Sequence, residues 1–139
     1  MLGTYEHTMD AKGRMNFPAK IREECGEHFY ITKSIKEKCL TVYTEEGWED
    51  LKQKLKSKSQ SAALPLERYL FGSACEAEPD KQGRIAIPAP LRAYAQIQNE
   101  VLVVGIGERA EIWNKELWEE YLERTSTADI EALAGELGI

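Results

Sequence analysis

The sequence is poor in residues that bind metals or carry out redox chemistry, with two histidines and three cysteines among 139 residues. Cys25, Cys39 and Cys75 are odd in number, and no two of them have the C-x-x-C spacing of zinc and redox motifs. His7 and His28 are isolated and support no catalytic arrangement. We therefore expect no zinc site and no cofactor, and we expect the thiols to pack as small hydrophobic side chains.

A long hydrophobic run is also missing. No apolar stretch approaches the roughly 20 residues that span a bilayer, and no charged-then-apolar leader opens the sequence. A hydrophobic content of 42% with 30% charged residues is typical of a globular protein rather than a disordered one. We expect a cytoplasmic protein without a membrane partner, built as one domain or as two half-size units that share a core.

The chain as a whole lacks the positive charge that usually accompanies nucleic-acid binding. Its formal net charge is −6. That average conceals an asymmetry, because residues 1–70 carry 12 Lys or Arg against 11 Asp or Glu, for +1, whereas residues 71–139 carry 6 against 13, for −7. Since binding depends on local charge, a basic face is expected to come mainly from the first half.

What the sequence does contain is one segment that occurs twice. Residues 10–22, DAKGRMNFPAKIR, return as residues 80–92, DKQGRIAIPAPLR, without a gap and with six identical positions out of thirteen. The same offset of 70 residues later pairs Trp48 with Trp118. The chain is therefore predicted to be two copies of one small unit. A unit of about 55 residues buries too little surface to be stable alone, so the copies are expected to fold together.

The same order of elements is predicted for both copies from hydrophobic period, turn residues and helix caps. The first copy is predicted to have strands at 3–9 and 14–17, a short helix near 19–25, a hairpin at 29–35 and 40–43, and a helix to about 56. The second copy is predicted to have strands at 73–78 and 84–87, a short helix at 88–95, a hairpin at 101–106 and 110–113, and a helix from Asn114. The inward face of that last helix is predicted to comprise Leu117, Trp118, Tyr121 and Leu122.

These elements predict an α+β fold in which the hairpins of both copies close into a small pseudo-symmetric β-barrel flanked by helices, because closure removes exposed strand edges. The expected division is a first repeat at 1–56, a linker with a short helix at 57–72, a second repeat at 73–124, and a tail or last helix at 125–139. Within the linker, residues 57–65 are rich in Ser and Lys, and a short helix is expected at 66–71.

Two short motifs point to function: Asp10, Gly13 and Arg14 in the first copy, and Asp80, Gly83 and Arg84 in the second. In each motif the Asp can accept hydrogen bonds from the turn and the Gly can supply a positive φ. An exposed Arg–carboxylate pair contributes only roughly 0–1 kcal/mol, so stability alone explains the Arg poorly. We interpret the Asp as a residue that orients the Arg toward phosphate or the N7/O6 edge of guanine. A purely structural role for each Asp remains an alternative.

In tandem, each followed by Pro-Ala and later by Trp, these motifs resemble the MraZ family, which belongs to the AbrB-like swapped-hairpin barrels. The match covers residues 1–124. The resemblance implies a nucleoid-associated bacterial transcriptional regulator that binds short direct repeats of double-stranded DNA upstream of the division and cell-wall gene cluster, including its own gene. It also implies a ring-like homo-oligomer. The motif positions that it carries over are Asp10, Arg14, Asp80 and Arg84.

Lysines at the two turns extend the predicted DNA-binding set beyond the resemblance. Lys12 and Lys81 are added from their charge and turn position, which gives the set Lys12, Arg14, Lys81 and Arg84 with Asp10, Gly13, Asp80 and Gly83 in support. The second copy has Gln82 where the first has Lys12. We therefore expect the first turn to make the stronger DNA contact. Lys20 and Arg22, on the following short helix, either extend the basic face or serve solubility.

Two other classes of protein remain open. Two pseudo-symmetric Asp residues on a small barrel would suit the paired carboxylates of an aspartic protease. Those lie in Asp-Thr/Ser-Gly loops, however, whereas Ala11 and Lys81 follow the Asp here. An Arg four residues on would also hold each carboxylate ionised, so we expect no enzyme. The other class is an oligomeric scaffold or protein-interaction module without DNA readout.

Overall fold

A computed structural model describes all 139 residues and has a mixed α and β fold. The first copy contains β1 Thr4–Thr8, β2 Arg14–Asn16, α1 Ala19–Cys25, β3 Phe29–Lys33, β4 Leu40–Tyr43 and α2 Glu45–Lys56. The remainder contains α3 Gln60–Leu70, β5 Cys75–Ala77, β6 Arg84–Ala86, α4 Ala89–Ala95, β7 Glu100–Gly105, β8 Ala110–Asn114, α5 Lys115–Arg124 and α6 Thr127–Glu136. None of the helices combines the length and apolar character that a membrane crossing requires.

Six of the eight strands form one antiparallel sheet in the order β1-β7-β8-β4-β3-β5, and β2 pairs with β6 in a separate two-stranded ribbon. One isolated bridge, between Met9 and Met15, joins the ribbon to the sheet. The prediction of an α+β fold is confirmed. Closure into a barrel is not confirmed, because the sheet is open at β1 and β5 and the three-residue strands of the ribbon pair with each other.

The strand pairings interlock the two copies. The strand β1 pairs with β7 of the second copy, and its counterpart β5 pairs with β3 of the first. The ribbon is centred on the pair Met15 and Ile85, and the pairing of β4 with β8 is centred on Thr41 and Glu111. Both pairs join residues 70 apart, so a pseudo-two-fold axis passes through them. Each copy thereby completes the sheet of the other.

The register departs from the uniform offset at the third strand of each copy. His7 pairs with Val101, and its counterpart Ala77 pairs with Phe29, so Phe29 corresponds to Val101 at an offset of 72 residues. The offset returns to 70 at β4 and β8 because the loop of the second hairpin is shorter, with residues 106–109 in place of 34–39. Compared with the first copy, the second copy therefore has two more residues before β7 and two fewer between β7 and β8.

The core lies between the inner face of the ribbon, the sheet and the short helices. It forms one cluster of 20 buried residues. Met15 and Ile85 are almost fully buried in this cluster, whereas the next residues along the strands, Asn16 and Ala86, are exposed. This alternation is the period-two pattern expected of a half-buried strand. The outer face of the ribbon is therefore left to polar side chains.

The long helices α2 and α5 both begin with a side-chain cap. The hydroxyl of Thr44 accepts a hydrogen bond from Gly47 N at 3.0 Å, and Asn114 Oδ1 accepts one from Leu117 N at 3.1 Å. The predicted inward side chains Leu117, Trp118 and Tyr121 pack against a small cluster around Trp113. The prediction for Leu122 was wrong, since it is 51% exposed and lies beyond that cluster.

The helix α3 starts earlier than predicted, at Gln60 rather than 66, and Pro65 lies inside it. A proline within a helix removes one backbone hydrogen bond and opposes the helical conformation. Burial of Ala63 and Leu70 against the fold opposes that penalty. The helix predicted in the tail is present as α6, and it buries no residue. The division of the chain into repeats, linker and tail stays a prediction.

Candidate nucleic-acid interface

The carboxylate of Asp10 organises the first turn. Its Oδ1 accepts hydrogen bonds from the backbone N of Lys12 and of Arg14, both at 2.9 Å, and its Oδ2 accepts one from Arg14 Nε at 3.0 Å. The backbone closes the turn, because Asp10 N donates to Arg14 O at 2.8 Å and Gly13 N donates to Asp10 O at 3.1 Å. Gly13 has φ +76°, which a side chain would disfavour.

The second turn repeats these contacts. Asp80 accepts hydrogen bonds from the backbone N of Gln82 and Arg84 and from Arg84 Nε, all at 2.9 Å. Gly83 has φ +79°. The replacement of Lys12 by Gln82 leaves this geometry unchanged because the backbone N–H, not the side chain, is the donor at that position. The two turns therefore match in shape and differ in charge.

Both turn carboxylates remain ionised at neutral pH. The backbone N–H of Arg14 is the main cause that lowers the pKa of Asp10, and the Arg14 side chain and the Lys12 N–H lower it further. The Arg84 and Gln82 groups lower the pKa of Asp80 in the same way. Each carboxylate therefore holds one guanidinium by its Nε in a fixed orientation.

The ribbon places the two arginines on one exposed face. Arg14 lies opposite Ala86, and Arg84 lies opposite Asn16. The arginines are thus diagonal neighbours, whose Cα atoms are roughly 7–8 Å apart in an ordinary antiparallel pair. Each Nε is bound to its Asp, and the terminal Nη atoms have no acceptor within the chain. Two half-exposed guanidinium groups therefore face outward, related by the pseudo-two-fold axis.

The predicted lysines lie at opposite ends of the ribbon. Lys12 and Lys81 are exposed on their turns and form no ion pair. They are not equivalent, because Lys81 occupies the position of Ala11 in the first copy. The structure thus brings Arg14 and Arg84 together and separates the lysines. The DNA-binding roles of all four residues stay predictions.

The sequence analysis named Arg22 as a possible extension of the basic face, but it missed Arg92 and the contact that each of these arginines makes with the turn of the other copy. Phe17 N donates to Gly83 O and Ile87 N donates to Gly13 O, both at 2.9 Å, so the two turns are tied to each other's ribbon strand. Gly13 and Gly83 are buried, since the guanidinium groups of Arg92 and Arg22 respectively lie against them. The available signal was the identity of these two arginines at equivalent positions of the repeat.

The thiols take the predicted place in the fold. Cys25 and Cys39 are buried, and Cys75 is half-buried. Burial raises the pKa to about 12 for Cys25 and Cys39 and to about 11 for Cys75, so they pack as small neutral side chains. No group of three or more His, Cys, Asp or Glu side chains is arranged to hold a metal ion.

Fold and site together define a pseudo-symmetric β-ribbon protein that presents paired, carboxylate-oriented arginines on one face. A family model described as "MraZ protein, putative antitoxin-like" matches residues 1–65 and 70–136. The chain belongs to the MraZ family.

Several relatives share nearly the whole length of the chain, and each is named "Transcriptional regulator MraZ". The protein from Thermoanaerobacter sp. (strain X514) is 47% identical over 130 residues, which cover 92% of this chain and 90% of the relative. The protein from Moorella thermoacetica is 47% identical over 135 residues, covering 96% and 93%. The protein from Alkaliphilus oremlandii is 42% identical over 142 residues, covering 99% of each. These names support a transcriptional regulator.

Proposed function

We propose that this chain is a sequence-specific DNA-binding transcriptional regulator whose ribbon, β2 with β6, enters the major groove. The observation that carries the proposal is the pair of outward guanidinium groups of Arg14 and Arg84, each oriented by its own Asp. A two-stranded ribbon fits the B-DNA major groove, which is about 12 Å wide, and an Arg fork matches the N7/O6 edge of guanine.

Lys12 and Lys81 are proposed to bind phosphates at the two ends of the ribbon. Phosphate contacts fix the position of a protein on the duplex, whereas base contacts select the sequence. Lys12 lies beside Arg14 in the half of the chain with the more basic balance. The first turn is therefore proposed to contribute more affinity than the second.

Assembly into a ring-like homo-oligomer is the second part of the proposal. One chain of net charge −6 with three or four cations at its site would bind weakly, because affinity depends on the number of phosphates neutralised. Several chains on spaced direct repeats make the later contacts intramolecular, with a gain of roughly 10²–10⁴ in affinity. The resemblance to the family supports repeats upstream of the protein's own gene, in the division and cell-wall cluster, and a cytoplasmic, nucleoid-associated protein.

The geometry does not favour the enzyme alternative. A pair of carboxylates that shares one proton requires a raised pKa on one member. The pKa is lowered for both Asp10 and Asp80, and each carboxylate is bound to its own Arg. The scaffold alternative differs in its prediction, because a scaffold would keep its function when the outward guanidinium groups are removed.

The test compares three arginine-to-alanine variants in binding to duplex DNA from upstream of the protein's own coding sequence and to unrelated DNA of equal length. Arg14→Ala and Arg84→Ala remove the proposed readers, and Arg68→Ala removes an exposed arginine on α3 as the control. Loss of a bidentate Arg–guanine contact costs about 1–3 kcal/mol. We therefore expect roughly 5-fold to 150-fold weaker binding to the upstream DNA for Arg14→Ala, reduced discrimination, and wild-type behaviour for Arg68→Ala.

The mass of each variant in solution is measured alongside. Loss of discrimination with the assembly intact supports a regulator over a scaffold. Full upstream binding by both Arg14→Ala and Arg84→Ala contradicts the proposal. A monomeric protein that binds a single repeat with full affinity contradicts the oligomer part alone.

A further inference from the structure

The guanidinium of Arg92 covers the turn that carries Lys12 and Arg14. A Cβ placed on Gly13 would lie 2.8 Å from Arg92 Cζ, 2.8 Å from its Nε and 3.0 Å from its Nη2. These nearly equal distances mean that the guanidinium plane lies flat against the glycine. Arg92 belongs to the second copy, and the turn belongs to the first.

Hydrogen bonds hold Arg92 in this position. Its Nε donates to Ile87 O at 2.9 Å, and Ile87 N donates to Gly13 O at 2.9 Å, so the arginine and the turn are bound to the same residue. Arg92 forms no ion pair, and its terminal Nη atoms have no acceptor within the chain. A positioned, half-exposed cation without a counterion is thus placed beside Lys12.

We propose that Arg92 is a phosphate-binding residue of the first DNA-binding turn, supplied by the second copy of the repeat. This inference rests on the proposed function. Arg92 lies against Gly13, which stands between Lys12 and Arg14 at one end of the ribbon, where a duplex whose major groove receives the ribbon would present its backbone. A guanidinium fixed by its Nε keeps a free edge of Nη donors, which suits two phosphate oxygens.

The equivalent arginine of the first copy has different surroundings. Arg22 lies against Gly83, and the cleft that it shares is lined by Lys81 and by four carboxylates, those of Glu23, Glu27, Glu78 and Asp80. At the positions equivalent to Glu23 and Glu78, the other copy has the uncharged residues Ala93 and Thr8.

Arg22 also lacks the hydrogen bond that fixes Arg92, since its side chain donates to no backbone carbonyl. Acidic neighbours repel phosphate, and a side chain that no hydrogen bond holds in place loses more entropy on binding. The first turn therefore receives a phosphate-binding arginine, and the second does not. This gives the two pseudo-symmetric turns unequal roles.

The experiment measures the dissociation constant of the full chain for duplex DNA from upstream of its own coding sequence at several salt concentrations. The variants are Arg92→Ala, Arg92→Lys and, as the symmetry-matched control, Arg22→Ala. Each phosphate contact contributes about 0.9 to the slope of log affinity against log salt. We expect Arg92→Ala to lower the slope by about that amount and to weaken binding about tenfold, with discrimination against unrelated DNA retained.

Arg92→Lys is expected to keep the wild-type slope because it keeps the charge, and Arg22→Ala is expected to change affinity less than about threefold. A slope that stays low in Arg92→Lys indicates a structural role and overturns the inference. Equal losses in Arg92→Ala and Arg22→Ala also overturn it. Thermal unfolding of Arg92→Gln, a neutral side chain that can still cover Gly13, separates loss of folding from loss of charge.

Failure of the inference is distinguishable from failure of the proposed function. If Arg14→Ala abolishes discrimination while Arg92→Ala keeps the full slope, the regulator stands and the role of Arg92 is rejected. If the wild-type chain binds neither the upstream duplex nor unrelated DNA at low salt, both the proposed function and the role of Arg92 are rejected.

Discussion

At the scale of single residues, the turn carboxylates decide where the arginines point. Asp10 accepts two backbone hydrogen bonds and one from Arg14 Nε, and Asp80 does the same in its own turn. The Nε atom is committed to the Asp, so the Nη atoms are left to face outward. The Asp thus reduces the conformational freedom that a free arginine would lose on binding.

Replacement of Asp10 by Asn tests this orienting role. In Asp10→Asn the amide oxygen can still accept the backbone hydrogen bonds, but the amide nitrogen faces Arg14 Nε, and two donors cannot bond. We expect DNA binding to weaken about fivefold, as for one lost hydrogen bond, and less than in Arg14→Ala. Binding measurements check this, with Asp129→Asn on α6 as the control. An unchanged affinity contradicts an orienting role.

The pH dependence of the same variant follows from the lowered pKa of Asp10. A carboxylate with a lowered pKa in the folded state contributes stability above its unfolded pKa of about 3.9, and that stability is lost as the pH falls through the folded value. The difference in free energy of unfolding between wild type and Asp10→Asn is therefore expected to be present at pH 6 and to shrink toward pH 2. Urea unfolding at several pH values measures it.

Two glycines with nearly the same φ but different neighbours separate strain from contact. Gly13 and Gly26 have φ of +76° and +77°, but a Cβ on Gly26 meets nothing within 4 Å, whereas one on Gly13 meets Arg92. A side chain disfavours the positive φ at both sites, and Gly26, with ψ −162°, lies in a region that is essentially confined to glycine. We expect both variants to lose stability in urea unfolding, and only Gly13→Ala to weaken DNA binding. Equal losses of DNA binding in the two variants would rule out a role for the Arg92 contact.

At the scale of elements, His28 connects parts of both copies. Its Nδ1 lies 2.8 Å from Glu45 Oε1 in the first turn of α2, and its Nε2 lies 3.3 Å from Glu76 Oε2 on β5. Glu45 is the main cause of a raised pKa at His28, and Glu76 raises it further. The imidazolium therefore bridges a helix of the first copy and a strand of the second.

This bridge predicts that its contribution to stability is present below pH 6.5 and lost above it. Because the folded pKa of His28 is raised, its contribution is complete below the unfolded pKa of about 6.5 and disappears as the pH rises through the folded value. Urea unfolding of wild type and His28→Gln should therefore differ more at pH 5.5 than at pH 8.5. His7→Gln serves as the control, because burial lowers the pKa of His7 and reverses the sign. A difference for His28→Gln that does not change with pH contradicts the bridge.

The helix α6 is expected to be dispensable for folding. It has ten residues and buries none of them, and isolated helices shorter than about 12–15 residues are marginal in water. A chain that ends at Thr125 should therefore unfold within about 2 °C of the full chain, since a loss of 1 kcal/mol would shift the midpoint by about 4 °C. Thermal unfolding by circular dichroism measures this. A fall of 5 °C or more would show that α6 stabilises the fold.

Local features of the elements were predictable from sequence, and features that depend on distant contacts were not. The bounds of α1, the caps Thr44 and Asn114, and the turn geometry of Asp10 were predictable because each depends on residues within four positions. The register shift at β7 and the early start of α3 were not predictable. Both depend on pairing or burial against residues far away in sequence. The contact of Arg92 with Gly13 crosses the copies and was missed for the same reason.

At the scale of the whole molecule, the two copies of the repeat form one shared sheet and ribbon and are not two independently folded units. Of the six strand pairings, four join the copies: β1 with β7, β2 with β6, β3 with β5, and β4 with β8. Only the two hairpins, β3 with β4 and β7 with β8, are formed within one copy. An isolated hairpin is at best marginally stable in water. Neither copy therefore has the pairings it needs to fold alone.

Separate halves test this interlock. Fragments 1–72 and 73–139 should each lack a cooperative unfolding transition, because each of their four strands has lost a partner. Mixed in equal amounts, they should regain the β-sheet circular dichroism of the intact chain and assemble with 1:1 stoichiometry, as a mass measurement would show. DNA binding by the mixture should be about tenfold weaker when the second fragment carries Arg92→Ala, as expected for the intact chain. A fragment 1–72 that folds as a monomer contradicts the interlock, and a mixture that stays unfolded shows that the covalent link is needed as well.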